Sequence, residues 1–169
     1  ADQEIKMDDY VNQLQKVCPD LFSDEIQIVT EFGRYLHAHN GVIVSKVEYV
    51  KDDGHYQTLV IHVGADLLAR RCSHPDQWFH RISVFDSNGC PKTGDECVYT
   101  IAGPLCFAGD ILVRDISLPH VEEGDLICVH DTGAYTFSMP SRYNSRLFPL
   151  CWGYHIDNEF MVLRKKETI

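Results

Sequence analysis

Between Val98 and Asn144 the chain twice runs a short strand into a glycine-broken turn that presents one reactive side chain. In the first, Val98-Tyr99-Thr100-Ile101 meets Gly103-Pro104, and the turn displays Cys106. In the second, Gly124-Asp125 restarts a strand, Leu126-Ile127-Cys128-Val129, and Gly133 permits a bend that displays Tyr135. Glycine admits backbone angles that a Cβ resists, so such kinks are inexpensive only there. Other short strand signals surround these two. Gly41 to Val50 leads through a hairpin turn at Asp52-Asp53-Gly54 into Gln57 to Val63; Arg81 to Phe85, Cys97 to Ile101, Leu126 to His130, Thr136 to Met139 and Phe160 to Leu163 follow. Short strands separated by regular turn signals predict a mainly β domain, a sandwich or closed barrel with Greek-key connections.

The opening of the chain has a different rhythm. Tyr10, Leu14 and Val17 recur at helical spacing, with Asp8 and Asp9 suited to a first turn. Cys18-Pro19-Asp20 ends that helix, and the β-branched run Ile26-Gln27-Ile28-Val29-Thr30 predicts a buried strand. A helix, a short loop and such a strand make the end of an α/β unit.

The paired segments resemble the C-terminal domain of the fold-type III pyridoxal-phosphate (PLP) decarboxylases: diaminopimelate, ornithine and arginine decarboxylases. That family has a GP-x-C segment whose cysteine protonates the decarboxylated intermediate, and a later GDxL…GAY segment whose tyrosine lies at the cofactor. Here they read Gly103-Pro104-Leu105-Cys106 and Gly124-Asp125-Leu126…Gly133-Ala134-Tyr135, followed by Ser141-Arg142-Tyr143-Asn144. The likeness implies that residues 1–40 are the last helix and strand of a truncated (β/α)8 barrel, and that residues 41–169 are the C-terminal β-domain. It further implies catalytic roles for Cys106 and Tyr135. The family's EPGR motif addresses the cofactor phosphate; here Glu31-Phe32-Gly33-Arg34 stands in its place, which makes Glu31, Gly33 and Arg34 cofactor residues and Arg34 also a substrate residue. Glycine lets an anion approach the backbone and a guanidinium grips phosphate bidentately. A DLxRPxLY-like region at Asp66 to Pro75 makes Arg70 or Arg71 the substrate arginine.

Each residue also has a plainer reading: Cys106 as a small buried hydrophobe, Tyr135 as a rim tyrosine of a strand, Arg34 as a surface residue at a strand exit, Arg70 and Arg71 as a solvated basic loop. Asp110 and Asp125 read as turn and strand-edge supports. Phe107 breaks the pattern, because the family carries Glu or Asp after the cysteine to meet the distal amino group of the substrate. A phenyl ring accepts no such hydrogen bond, so Phe107 marks a different substrate. The family's Schiff-base lysine lies early in its barrel, and none of the seven lysines here has that context. The chain alone is therefore expected to be inactive, as the C-terminal part of a PLP-dependent amino-acid decarboxylase. The resemblance also implies a homodimer with composite active sites. The alternative is a non-catalytic binding or regulatory homologue, and racemisation fits the GP-x-C segment poorly.

Composition narrows the remainder. A formal net charge of -10 excludes a phosphate-backbone binder, which needs clustered Lys and Arg. No apolar run is long enough for a membrane span. The seven cysteines are odd in number and contain no CxxC pair, which disfavours a disulfide framework or a zinc site and suits a reducing cytoplasm. His37-Ala38-His39 lacks the partners of a metal centre.

Overall fold

In the computed structural model, residues 6–169 are described. They form two compact units that divide after Phe32. In the first, α1 (Met7–Val17) carries Asp8 and Asp9 in its first turn and Lys16 in its last, each complementing the helix dipole. A 3-10 turn, Pro19–Phe22, ends it, and the ring of Tyr10 packs edge-on against Phe32 at 5.4 Å. The strand expected at Ile26–Thr30 does not form. Among the described residues that run has no ladder partner, and Ile26, Ile28 and Val29 are exposed. β-branched residues favour a pleated surface only where a neighbouring strand offers one.

The second unit is mainly β. Short helices α2 (Gly33–His37) and α3 (Ala69–Ser73) accompany β1 (Ile43–Asp52), β2 (Gln57–Ile61), β3 (Ile82–Phe85), β4 (Glu96–Ala102), β5 (Ile111–Pro119), β6 (Leu126–Val129), β7 (Cys151–Tyr154) and β8 (Phe160–Arg164). A six-stranded mixed sheet runs β3-β6-β1-β2-β4-β5, with β2 and β4 parallel and the other neighbours antiparallel. Its edge strands β3 and β5 come together, so the sheet is nearly closed into a barrel. β7 and β8 pair separately.

Alternation along the strands builds the core. In β1, Ser45 and Val47 point inward while Val44 and Lys46 point out. Val47, Leu59, Ile61, Ile101, Leu112 and Ile127 meet inside with no more than 1% of their surface exposed. Tyr99 is buried among them, and its hydroxyl accepts the Val121 N–H at 3.0 Å. The turn between β1 and β2 follows its sequence: Gly54 has φ +83°, and the Asp52 and Asp53 carboxylates accept the N–H groups of Gly54, His55 and Tyr56.

Three strands of this unit differ from expectation: Thr136–Met139, β5, and β7, which has no counterpart among the expected strands. Thr136–Met139 is turn, because Tyr135 has a left-handed φ of +58° and the buried Thr136 hydroxyl donates back to the Thr132 carbonyl. β5 carries no clear strand signal, since Arg114-Asp115 interrupts its alternation; Asp115 has φ +52°, and the β4–β5 register shifts nearby.

Candidate functional site

The structure gathers the candidate side chains into two clusters. The first grows from the loop between β4 and β5. Gly103 donates to the Asp110 carbonyl at 2.9 Å and Asp110 N–H to the Phe107 carbonyl at 3.1 Å, closing the loop on itself. Its centre is the Asp110 carboxylate, 3% exposed. One oxygen accepts the Leu105 N–H and the other the Ala65 N–H, each at 2.6 Å. A Cβ on Gly64 or Gly103 would run into that carboxylate, so both positions need glycine for space. One buried acid thus fixes the cysteine loop and ties it to the turn after β2.

Cys106 sits on the exposed outer side of this loop. The side-chain amide of Asn144 reaches it: Nδ2 donates to Sγ at 3.1 Å, and Oδ1 lies 3.6 Å from the sulfur. The Phe107 ring packs on Tyr143 at 5.6 Å between centroids and covers Gly109, where a Cβ would strike it. The segment carrying Tyr143 and Asn144 is itself anchored at both ends. Ser141 donates to the Asp66 carbonyl at 2.8 Å, while Arg146 binds the Asp66 carboxylate at 2.8 Å and the His62 carbonyl at 2.7 Å. Arg142 forms a fork with Glu167 at 3.1 and 2.8 Å, which holds the Glu167 carboxyl below its ordinary range.

The second cluster is an aromatic–guanidinium stack. Arg34 and Arg70 each lie 4.5 Å from the Trp78 ring centre, Arg70 also lies 4.4 Å from that of Tyr135, and the two rings meet edge to face at 5.7 Å. Among the described residues neither guanidinium has a carboxylate partner. Arg71 faces inward instead: it is 8% exposed and donates to the carbonyls of Leu112, Pro75 and Trp78 at 2.6, 2.9 and 2.5 Å. It thereby sets the loop on which Trp78 stands. Arg34 and Tyr135 are brought near each other by two glycines. Gly133 donates to the Ala38 carbonyl at 2.9 Å, and a Cβ on Gly41 or Gly133 would overlap the opposite backbone.

Cys106 and Phe107 therefore fall in one cluster, Arg34, Arg70 and Tyr135 in the other, and no hydrogen bond or ring contact joins the side chains of the two. Gly33 opens α2 and is exposed, as is Glu31 in the first unit. Trp78 and Asn144 received no role from the sequence. A lone tryptophan followed by Phe79 carries no spacing signal, and only the fold shows that two arginines lie over it.

The sequence model of the pyridoxal-dependent decarboxylase C-terminal sheet domain matches residues 19–133. The chain belongs to this decarboxylase family. It is 34% identical over 167 residues to a diaminopimelate decarboxylase of Buchnera aphidicola, covering 94% of this chain and 39% of that protein. A crystal structure of a diaminopimelate decarboxylase superposes with a TM-score of 0.86 at 27% identity, over 99% of this chain and 42% of the other. The enzyme from M. jannaschii in complex with L-lysine gives 0.82 at 27%, over 99% and 38%. The chain thus spans about two fifths of the relatives it matches. No described helix is long and apolar enough to cross a membrane.

The same segment that seats Arg34 carries an acid-labile tie. Asp131 receives a two-pronged bond from Arg81, at 3.0 and 3.1 Å, and lies 2.6 Å from His39 Nδ1. Arg81 foremost, against the opposing effect of burial and with help from His39, lowers the Asp131 carboxyl to about 2. A carboxyl whose folded value is depressed contributes stability above its unfolded value, and loses it as pH falls toward the folded one. Asp131→Asn is therefore expected to flatten the loss of stability between about pH 4 and pH 2, read from urea unfolding at stepped pH. Parallel curves for the two proteins would refute this role.

Proposed function

We propose that this chain supplies the C-terminal part of a PLP-dependent amino-acid decarboxylase, a lyase in which Cys106 delivers the proton that replaces the departing carboxylate. The observation that carries this reading is the placement of an exposed thiol on a loop fixed by a buried carboxylate, in a chain of this family. Bound PLP supplies the electron sink that makes loss of carbon dioxide from an amino acid feasible. The residues here suit it: Arg34 and Arg70 present two guanidiniums without carboxylate partners among the described residues, as a phosphate or substrate carboxylate requires. Tyr135 and Trp78 form the apolar wall beside them and hold the two arginines against it. Cys106 gives its proton to the substrate α-carbon as a general acid.

The first unit we read as the end of the enzyme's barrel: its β-branched run is exposed and pairs with no strand among the described residues, although its composition suits a buried parallel strand. The cofactor lysine then belongs to a part of the enzyme outside this sequence. We read the enzyme as a homodimer in which the Cys106 cluster of one subunit completes the site of the other; among the described residues no hydrogen bond or ring contact joins it to the Arg34, Arg70 and Tyr135 cluster of its own chain. Seven free thiols favour the cytoplasm.

Phe107 sets the substrate apart from diaminopimelate or ornithine. It lies against Tyr143, an apolar surface that leaves a distal ammonium group unpaired. Phe107→Glu is expected to shift preference toward diamino substrates by about 1–3 kcal/mol in kcat/KM. The assay is carbon dioxide release by the full-length enzyme with PLP, offered ornithine, lysine, diaminopimelate and N-acylated analogues in competition. Release from none of a broad amino-acid panel would end the decarboxylase reading; full efficiency on meso-diaminopimelate without mutation would end only the role of Phe107.

A further inference from the structure

We infer that Asn144 is a positioning residue that aims the Cys106 thiol and stabilises the thiolate left after proton delivery. The functional consequence rests on Cys106 being the proton donor; the interaction itself does not. Two observations carry it. One amide faces the sulfur with both of its groups, Nδ2 at 3.1 Å and Oδ1 at 3.6 Å, so a rotation of the thiol serves either protonation state. A protonated thiol directs its hydrogen to Oδ1; once the proton has moved to carbon, the sulfur carries the negative charge and accepts from Nδ2–H. Hydrogen bonding to the charged form favours that form.

The second observation is the backbone beneath the amide. Asn144 and Ser145 both adopt left-handed angles, φ +57° and +56°. Consecutive non-glycine residues in this region are unfavourable and persist only where surrounding structure holds them. Here the flanks are held by Arg142 on Glu167 and by Arg146 on Asp66. Asn is among the residues that tolerate this conformation best, and its short side chain then projects toward the loop fixed by Asp110. Two anchored segments thus converge on one sulfur.

The test uses two variants that keep the backbone. Asn144→Gly removes the amide while accepting positive φ, and Asn144→Asp retains the shape while exchanging the donor for an acceptor. The readout is the pH profile of iodoacetamide alkylation at Cys106, followed peptide by peptide by mass spectrometry because six other cysteines are present. The midpoint is expected to move upward by about 1 pH unit in Asn144→Gly, and at least as far in Asn144→Asp, the scale of one hydrogen bond to a charged group. An unchanged or lowered midpoint in Asn144→Gly overturns the inference, as does a shift confined to Asn144→Asp. Turnover of the full-length enzyme separates this from the functional reading. If Cys106→Ala leaves amine production intact while Asn144→Gly still shifts the midpoint, the proton-donor role fails and the amide–sulfur coupling stands. If Cys106→Ala abolishes amine production while Asn144→Gly changes neither profile nor turnover, the reverse holds.

Discussion

Replacing Cys106 by alanine in the full-length enzyme is expected to lower kcat for amine formation by about 10²–10⁴-fold, the usual contribution of a positioned general acid. KM should change little, because the thiol meets the substrate only once the carboxylate has left. Loss of an exposed side chain leaves no cavity, so the thermal midpoint should stay within about 1–2 °C of the parent. Cys106→Ser separates reach from acidity: the hydroxyl has similar length and can still meet Asn144, but it gives up a proton far less readily than a thiol. Amine formation should recover only slightly in it. The measurement is product analysis alongside carbon dioxide release, since a donor-deficient enzyme should release carbon dioxide while misdirecting the protonation step. Retention of parental kcat and of a single product in Cys106→Ala would remove the thiol from the mechanism.

Where the sequence was readable, the reason was local. Gly54 must take positive φ between two alternating runs, so the hairpin at Asp52-Asp53-Gly54 announces itself. Gly103-Pro104 stops β4 one residue after it ends, and Asp110 closes the turn that follows. Residues whose conformation depends on distant partners were opaque. Thr136–Met139 has strand composition, yet the Thr136 hydroxyl and the left-handed Tyr135 turn it into a compact loop. Ile26–Thr30 has a strong β-branched signal and forms no ladder among the described residues, because pairing is a property of neighbours. The parallel contact of β2 with β4 links residues some forty positions apart and has no local signature. For the site, the resemblance named Cys106, Tyr135, Arg34 and Arg70 from motifs, but it could not distinguish Arg70 from Arg71. Their surroundings differ: Arg71 donates to three backbone carbonyls, whereas Arg70 lies against two aromatic rings.

Removing the Asp110 carboxylate is expected to destabilise the domain by about 2–4 kcal/mol, because Ala65 N–H and Leu105 N–H each lose a charge-assisted partner. Asp110→Asn should be nearly as damaging as Asp110→Ala, although it is almost isosteric. Both carboxylate oxygens accept, whereas an amide offers one acceptor and turns its NH2 toward a second N–H donor. The glycines supply an independent check. Gly64→Ala alone should destabilise, since the new methyl meets the Asp110 oxygens. Combined with Asp110→Ala the same methyl enters the vacated space, so the double mutant should be more stable than the sum of the two losses by on the order of 1 kcal/mol. Urea unfolding of the four proteins measures the cycle, and Cys106 alkylation at fixed pH reports whether the loop has loosened. Additive losses would mean that Gly64 is needed for some reason other than the carboxylate. An Asp110→Asn protein as stable as the parent would show that a neutral amide holds the loop equally well, and that the charge on Asp110 has no part in presenting the thiol.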